Sequence, residues 1–165
     1  MSQNIAPPPT IDSKFILPFM NATRNVFHKM AGVATTIGKP YLKTDAANTA
    51  CEVCGIIGFT GQITGSVMIS FSESAAQKLV EAFAGVKLAI TDPDFADAVG
   101  ELANMVAGSA KKDLGALASI SVPSVVIGKG YIVAMNRNVP CLVIPCSSPL
   151  GDFAVEVSIK RNPGD

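Results

Sequence analysis

Histidine is almost missing from this chain: His28 is the only one in 165 residues. That excludes a Ser-His-Asp or Cys-His nucleophile arrangement, which needs an imidazole base beside the attacking group. With no partner acid or second histidine in reach, His28 reads as a helix-surface residue. There is no P-loop, no dinucleotide fingerprint and no HExxH pair. Gly128-Lys129-Gly130 lacks the spacing and the following helix of a phosphate cradle, and reads as a turn. Charge of one sign is missing too. Lys+Arg and Asp+Glu are both 13 and no basic block occurs, so no nucleic-acid partner is expected. The longest uncharged run, residues 53–72, is long enough to raise a membrane span. Gly55, Gly58, Gly61 and Gly65 interrupt it and Thr60, Gln62, Thr64, Ser66 and Ser70 stud it, so a hairpin is expected and no membrane partner.

The first residues, MSQNIAPPPTIDS, lack the charged and apolar regions of a secretory leader. Residues 1–12 read as a flexible tail and a cytoplasmic, reducing location is expected. The four cysteines, Cys51, Cys54, Cys141 and Cys146, then read as free structural thiols. Cys51 and Cys54 form a CxxC, but an extended strand points them to opposite faces. Cys141 and Cys146 are five apart across Pro145, which is not a zinc knuckle. No metal site is expected.

What is present is a core: 48% of residues are hydrophobic, enough for one domain, residues 13–160, with a short tail at 161–165. A first helix runs from Asp12 or Ser13 to about Met30, with Pro18 near its first turn. Phe15, Phe19, Ala22, Val26 and Met30 form its buried stripe. Residues 38–48 read as a connector. Residues 51–59 and 63–71 read as strands about Thr60-Gly61-Gln62. Ser70 to Glu73 resembles a capping box opening a helix that Gly85 ends. Residues 119–127 are β-branched, with Pro123 marking an edge or bulge. Residues 131–135 suggest a short strand and 139–146 an apolar one. Residues 153–160 alternate Phe153, Val155, Val157 and Ile159 with Ala154, Glu156, Ser158 and Lys160. This order predicts a two-layer α+β fold: a largely antiparallel sheet with three helices packed on one face.

One further helix, from Asp92 to about Leu114, has two faces. Thr91 or Asp92 caps it and Pro93 suits its first position. Phe95, Ala98, Val99, Leu102, Met105, Val106 and Ser109 make an apolar stripe. At ~100° per residue, Asp97, Glu101, Asn104, Gly108 and Lys111 fall on the other side. Glu101 and Asn104 are three apart and therefore neighbours. A mid-helix Gly108 costs about 1 kcal/mol relative to alanine, yet it sits beside two polar groups. Asp92, Asp94 and Asp97 suit the positive end of the helix dipole without invoking a cation. An asparagine amide is no acid, base or nucleophile, but it holds a water by accepting one hydrogen bond and donating another.

Gly100-Glu101-Leu102-Ala103-Asn104, with Gly108 following, resembles the ExxN helix of the CheX/CheC/FliY phosphatases. The similarity extends from about Phe15 to Ile159, through PFMNATRNVF, GIIGFTGQITGSVMISFSE and the closing strands. It implies an enzyme that dephosphorylates a CheY-like response regulator in chemotaxis. Asn104 would orient the attacking water, and Glu101 would pair with the receiver's lysine. Apart from the resemblance, the helical wheel sets Asp97, Gly108 and Lys111 beside that pair, and with Gly100 they are expected to complete the binding face, Gly108 letting a partner's backbone approach. Mg²⁺ would be held by the partner, with no cofactor of the chain's own. CheC-like members carry two such motifs. Here Asn21-Ala22-Thr23-Arg24 has none, and the near match Asp45-Ala46-Ala47-Asn48 falls in an expected loop. One motif per chain is the CheX-like pattern, which implies a homodimer joined through its sheet. A non-catalytic receiver-binding adaptor of the same fold is the alternative.

Overall fold

The computed structural model describes residues 13–44, 51–115, 117–134 and 138–163. The chain opens with helix α1 (Ser13–Ala31), followed by two short strands, β1 (Thr36–Ile37) and β2 (Tyr41–Leu42). The long hairpin β3 (Val53–Gly61) and β4 (Ile63–Phe71) leads into helices α2 (Glu73–Ala84) and α3 (Pro93–Asp113). Four strands close the chain: β5 (Ala118–Ile120), β6 (Ser124–Ile127), β7 (Leu142–Ser147) and β8 (Phe153–Arg161). They form one sheet ordered β1-β7-β8-β4-β3-β5, with β2 also on β7 and β6 also on β3. Every pairing is antiparallel.

Alternation decides which side chains meet the helices. Val53, Ile57 and Phe59 of β3 and Val67, Ile69 and Phe71 of β4 are buried together with Phe19 and Phe27 of α1. Phe27 stacks on Phe153 with centroids 4.6 Å apart, and Phe19 meets Phe59 edge-on at 5.9 Å. The helices therefore cover one face, as the pattern implies.

Several local expectations change. In α1, Met30 is exposed whereas Phe27, off the expected stripe, is fully buried. Pro18 lies in the second turn, inside the helix. The start of α2 is capped by Ser72, whose hydroxyl accepts from the Ala75 N–H, and not by Ser70, which is buried in β4. Glu52 takes the role a capping-box acid would have, accepting the Glu73 N–H at 2.7 Å. The supposed single strand at 119–127 is two strands broken at residues 121–123, around Pro123. Residues 131–134 are not a strand. The expected connector at 38–48 holds β2, and β1 lies just before it. The near-motif Asp45 to Asn48 lies outside the described residues.

The second face of the sheet also buries residues, and some of them are polar. Glu156 and Ser158 of β8 are buried. The Lys43 ammonium meets the Glu156 carboxylate at 2.8 Å, and the Ser158 hydroxyl donates to the Val139 carbonyl. A buried carboxylate without such a partner would be severely destabilising. The segment after β2 thus closes over β8 because it brings the cation.

Candidate functional site

The site is carried by α3, and its rigidity starts at its ends. The Asp92 carboxylate accepts the Asp94 N–H at 2.9 Å, and Pro93 fills the first helical position. Lys111 and Lys112 lie in the last turn, where cations favour the helix dipole. Between the ends, Phe95, Val99, Leu102 and Val106 enter the core as the stripe requires. Ala103, Ala107 and Ala110 are buried as well, so the covered arc is wider than the apolar stripe alone. These small residues let α3 sit close to the sheet. At Gly55 of β3, an added Cβ would stand 2.9 Å from the Ala103 Cβ and 3.3 Å from the Val99 carbonyl. The helix rests on strand backbone at that point.

On the other side of α3, Asp97 and Glu101 are exposed and Asn104, Gly108 and Lys111 are half-buried. Glu101 and Asn104 share this face, one turn apart. Among the described residues, no hydrogen bond or ion pair occupies the Glu101 carboxylate or the Asn104 amide. A shallow groove runs beside them, lined by Ala96, Asp97, Gly100, Glu101, Pro123 and Val125. Gly100 is its buried floor: an added Cβ would lie 3.2 Å from Pro123 and 3.4 Å from Val125. This glycine lets the β5–β6 segment approach the helix and offers no side chain of its own. At Gly108 the nearest neighbour of an added Cβ is the Ile120 Cδ1 at 4.0 Å, an ordinary van der Waals contact that a methyl group would not crowd.

The helical pattern thus locates Asp97, Glu101, Asn104, Gly108 and Lys111 on one side. It does not reveal the opposite wall. Pro123 signals a break in the chain, but nothing local in the sequence says that the break faces Gly100.

The cysteines depart from expectation. A bend at Glu52 turns Cys51, which precedes β3, onto the same face as Cys54. The Tyr131 hydroxyl lies 3.1 Å from Cys51 Sγ and 3.6 Å from Cys54 Sγ. The Cys54 hydrogen bond foremost, with Tyr131 also contributing, outweighs burial and lowers Cys51 to about 6. The same bond, with burial, raises Cys54. Burial pushes Cys141 up to about 11, aided by the Glu156 carboxylate, and Cys146 up to about 12. All four are free thiols, and the described residues contain no group of three or more potential metal ligands. No helix among the described residues is long and apolar enough to cross a membrane.

The chain is similar to known proteins in both sequence and fold. The family model "Chemotaxis phosphatase CheX" matches residues 53–147, more than half of the chain, and includes α3. A curated relative from Thermotoga maritima, "CheY-P phosphatase CheX", is 29% identical over 154 residues, covering 91% of this chain and 98% of the relative. A CheC-like superfamily protein from a Shewanella species superposes with a TM-score of 0.82 at 34% identity, covering 91% of this chain and 99% of that one. The CheX–CheY–BeF3–Mg²⁺ complex from Borrelia burgdorferi contains a chain similar at 25% identity and a TM-score of 0.74, with 92% and 100% covered. On fold, extent and family match together, the chain belongs to the CheX chemotaxis phosphatase family.

Proposed function

We propose that this protein hydrolyses the aspartyl phosphate of a CheY-like response regulator, with Asn104 and Glu101 as its working residues. The observation that carries this reading is the pair itself: an unpaired amide and an unpaired carboxylate, one turn apart on a helix seated against strand backbone. Phosphoryl transfer to water needs an in-line nucleophile and charge stabilisation more than covalent help. The Asn104 amide supplies the first. Its oxygen accepts from a water and its nitrogen donates, which fixes a lone pair toward phosphorus. Glu101 supplies orientation: its carboxylate pairs with the receiver's lysine and sets the register of the helix over the phosphoryl group.

Mg²⁺ belongs to the partner in this reading. The Borrelia complex, which contains CheY, Mg²⁺ and the phosphoryl mimic BeF3, supports that division of labour. Asp97 and Lys111 extend the face at its two ends. Gly108 leaves room for the receiver's backbone, and Gly100 shapes the groove wall. The active unit is a homodimer joined through the sheet, located in the cytoplasm with its substrate.

The test is phosphate release from a phosphorylated receiver of the same organism, with and without this protein. Acceleration is expected. No acceleration with any such receiver at saturating protein would sink the reading. The adaptor alternative then stands if the receiver still binds.

A further inference from the structure

The sheet face away from the helices holds a small cluster the phosphatase chemistry does not use. Cys51, Cys54 and Met68 are buried there, with Tyr131 and Val126 packed against them. Packing alone does not call for three hydrogen-bonding groups converging in an apolar setting, since apolar residues of similar size fill such a space without unmet bonds. Here the Cys51 thiol donates to the Val53 carbonyl at 3.3 Å, and one phenol hydroxyl reaches both sulfurs. The hydroxyl has one proton and lies nearest Cys51. Cys51 keeps 8% exposure while Cys54 has none, so an oxidant meets Cys51 first.

We propose that Cys51 and Cys54 form a dithiol that a small hydroperoxide oxidises to an intramolecular disulfide, with Tyr131 as the positioning residue. The Cys51 thiolate attacks one peroxide oxygen and the O–O bond breaks. Cys51 becomes a sulfenic acid, and hydrogen peroxide leaves its other oxygen as hydroxide, which takes up a proton to become water. The Cys54 sulfur, giving up its proton, then attacks the Cys51 sulfur and expels the hydroxyl as a second water. Two thiols and one hydrogen peroxide thus give one disulfide and two waters. The thiolate is the nucleophile, and Cys51 is the one cysteine of the four whose ionisation is favoured. Cys141 and Cys146 are held neutral by burial and serve as internal controls. The charged groups beside the cluster are Glu52 and Lys129, which lie 3.8 Å apart.

Closure of the ring reshapes the bend at Glu52. That residue is tied three ways: its carboxylate accepts the Glu73 N–H, its carbonyl accepts the Gly128 N–H, and its amide donates to the Phe71 carbonyl. Oxidation is therefore felt at the start of α2 and in the turn after β6.

The experiment treats the full chain with hydrogen peroxide near neutral pH, alkylates free thiols and maps tryptic peptides by mass. Peptide 44–78 contains Cys51 and Cys54 and no other cysteine. The expected product is that peptide lighter by two hydrogens, resistant to alkylation and restored by dithiothreitol, with Cys141 and Cys146 still alkylated. Glutathione disulfide, too large for the buried site, reacts far more slowly. Full alkylation of 44–78, a terminal sulfinic acid on Cys51, or a disulfide using Cys141 or Cys146 overturns the proposal. Tyr131→Phe, folded by circular dichroism, oxidises ~10-fold more slowly at pH 7, about one charged hydrogen bond's worth. An unchanged rate overturns the assignment. Should that variant not fold, the wild-type rate against pH decides: a rise centred near 6 supports the cluster, and one near 9 contradicts it.

Discussion

In the proposed reaction Asn104 and Glu101 divide one task between them, and their separate contributions would be visible in separate observables. Glu101 is exposed, so its pairing with a receiver lysine is screened and moderate. Glu101→Ala should raise the half-saturating receiver concentration ~10-fold, equivalent to about 1.4 kcal/mol, with turnover at saturation little changed. A steady-state titration of phosphorylated receiver checks this, and unchanged docking would remove the assigned role. At Cys146 a different residue-level effect follows from burial. Its unfolded thiol ionises near 9.0, and burial delays that to about 12 in the fold. In that window the unfolded chain binds fewer protons than the folded one, so stability falls as pH rises. Cys146→Ala removes this contribution. Thermal melts of both forms should show the wild type losing more stability than the variant between about pH 9 and 12. Spacing put Glu101 and Asn104 on one side of α3, where the structure has them, but their proposed roles came from the family resemblance. The Cys51/Cys54 pairing was not legible, because period-two reasoning assumes an unbroken strand and a bend at Glu52 defeats it.

At the scale of elements, α3 works because it is seated, not because it is helical. Ala103 and the Val99 carbonyl lie where a Cβ on Gly55 would go. Gly55→Ala should therefore cost about 1–3 kcal/mol by overpacking and lift the helix from the sheet. Denaturant unfolding reads the first effect. A drop in turnover larger than the stability loss explains would read the second. Gly108→Ala meets only an ordinary van der Waals contact with Ile120 in the free protein and should leave stability unchanged or slightly raised. If the receiver's backbone comes close there, docking weakens in the same variant. The helices and long strands were readable from periodicity, and Asp92, Pro93 and Gly85 gave real boundaries. The short strands β1 and β2 were not, since two-residue pairings carry no periodic signal and exist only because β7 offers an edge. The groove opposite Glu101 was hidden for a related reason. Pro123 breaks its strand for local steric causes, whereas its contact with Gly100 is tertiary.

For the whole molecule, the sheet is closed on both faces by different means. Helices bury one side with aromatic and branched side chains, and the other side buries the Glu156 carboxylate paired with Lys43 and the smaller Cys51, Cys54 and Met68 cluster. Alternation made β8 legible as a strand but did not show that its polar residues Glu156 and Ser158 are buried, where Lys43 and the Val139 carbonyl meet them. Lys43→Met removes the 2.8 Å ion pair from the buried Glu156 carboxylate and should cost about 3–5 kcal/mol in chemical denaturation. The double variant with Glu156→Leu should recover most of that loss. The buried face of α3 packs on this sheet, and the proposed site of one amide and one carboxylate depends on such seating. The decisive measurement compares wild type with Asn104→Ala on one phosphorylated receiver, reading phosphate release at saturation and affinity for the receiver loaded with a phosphoryl mimic. The account predicts turnover lower by ~10²-fold with affinity unchanged. Turnover at the wild-type level in a variant that still binds the receiver would contradict it.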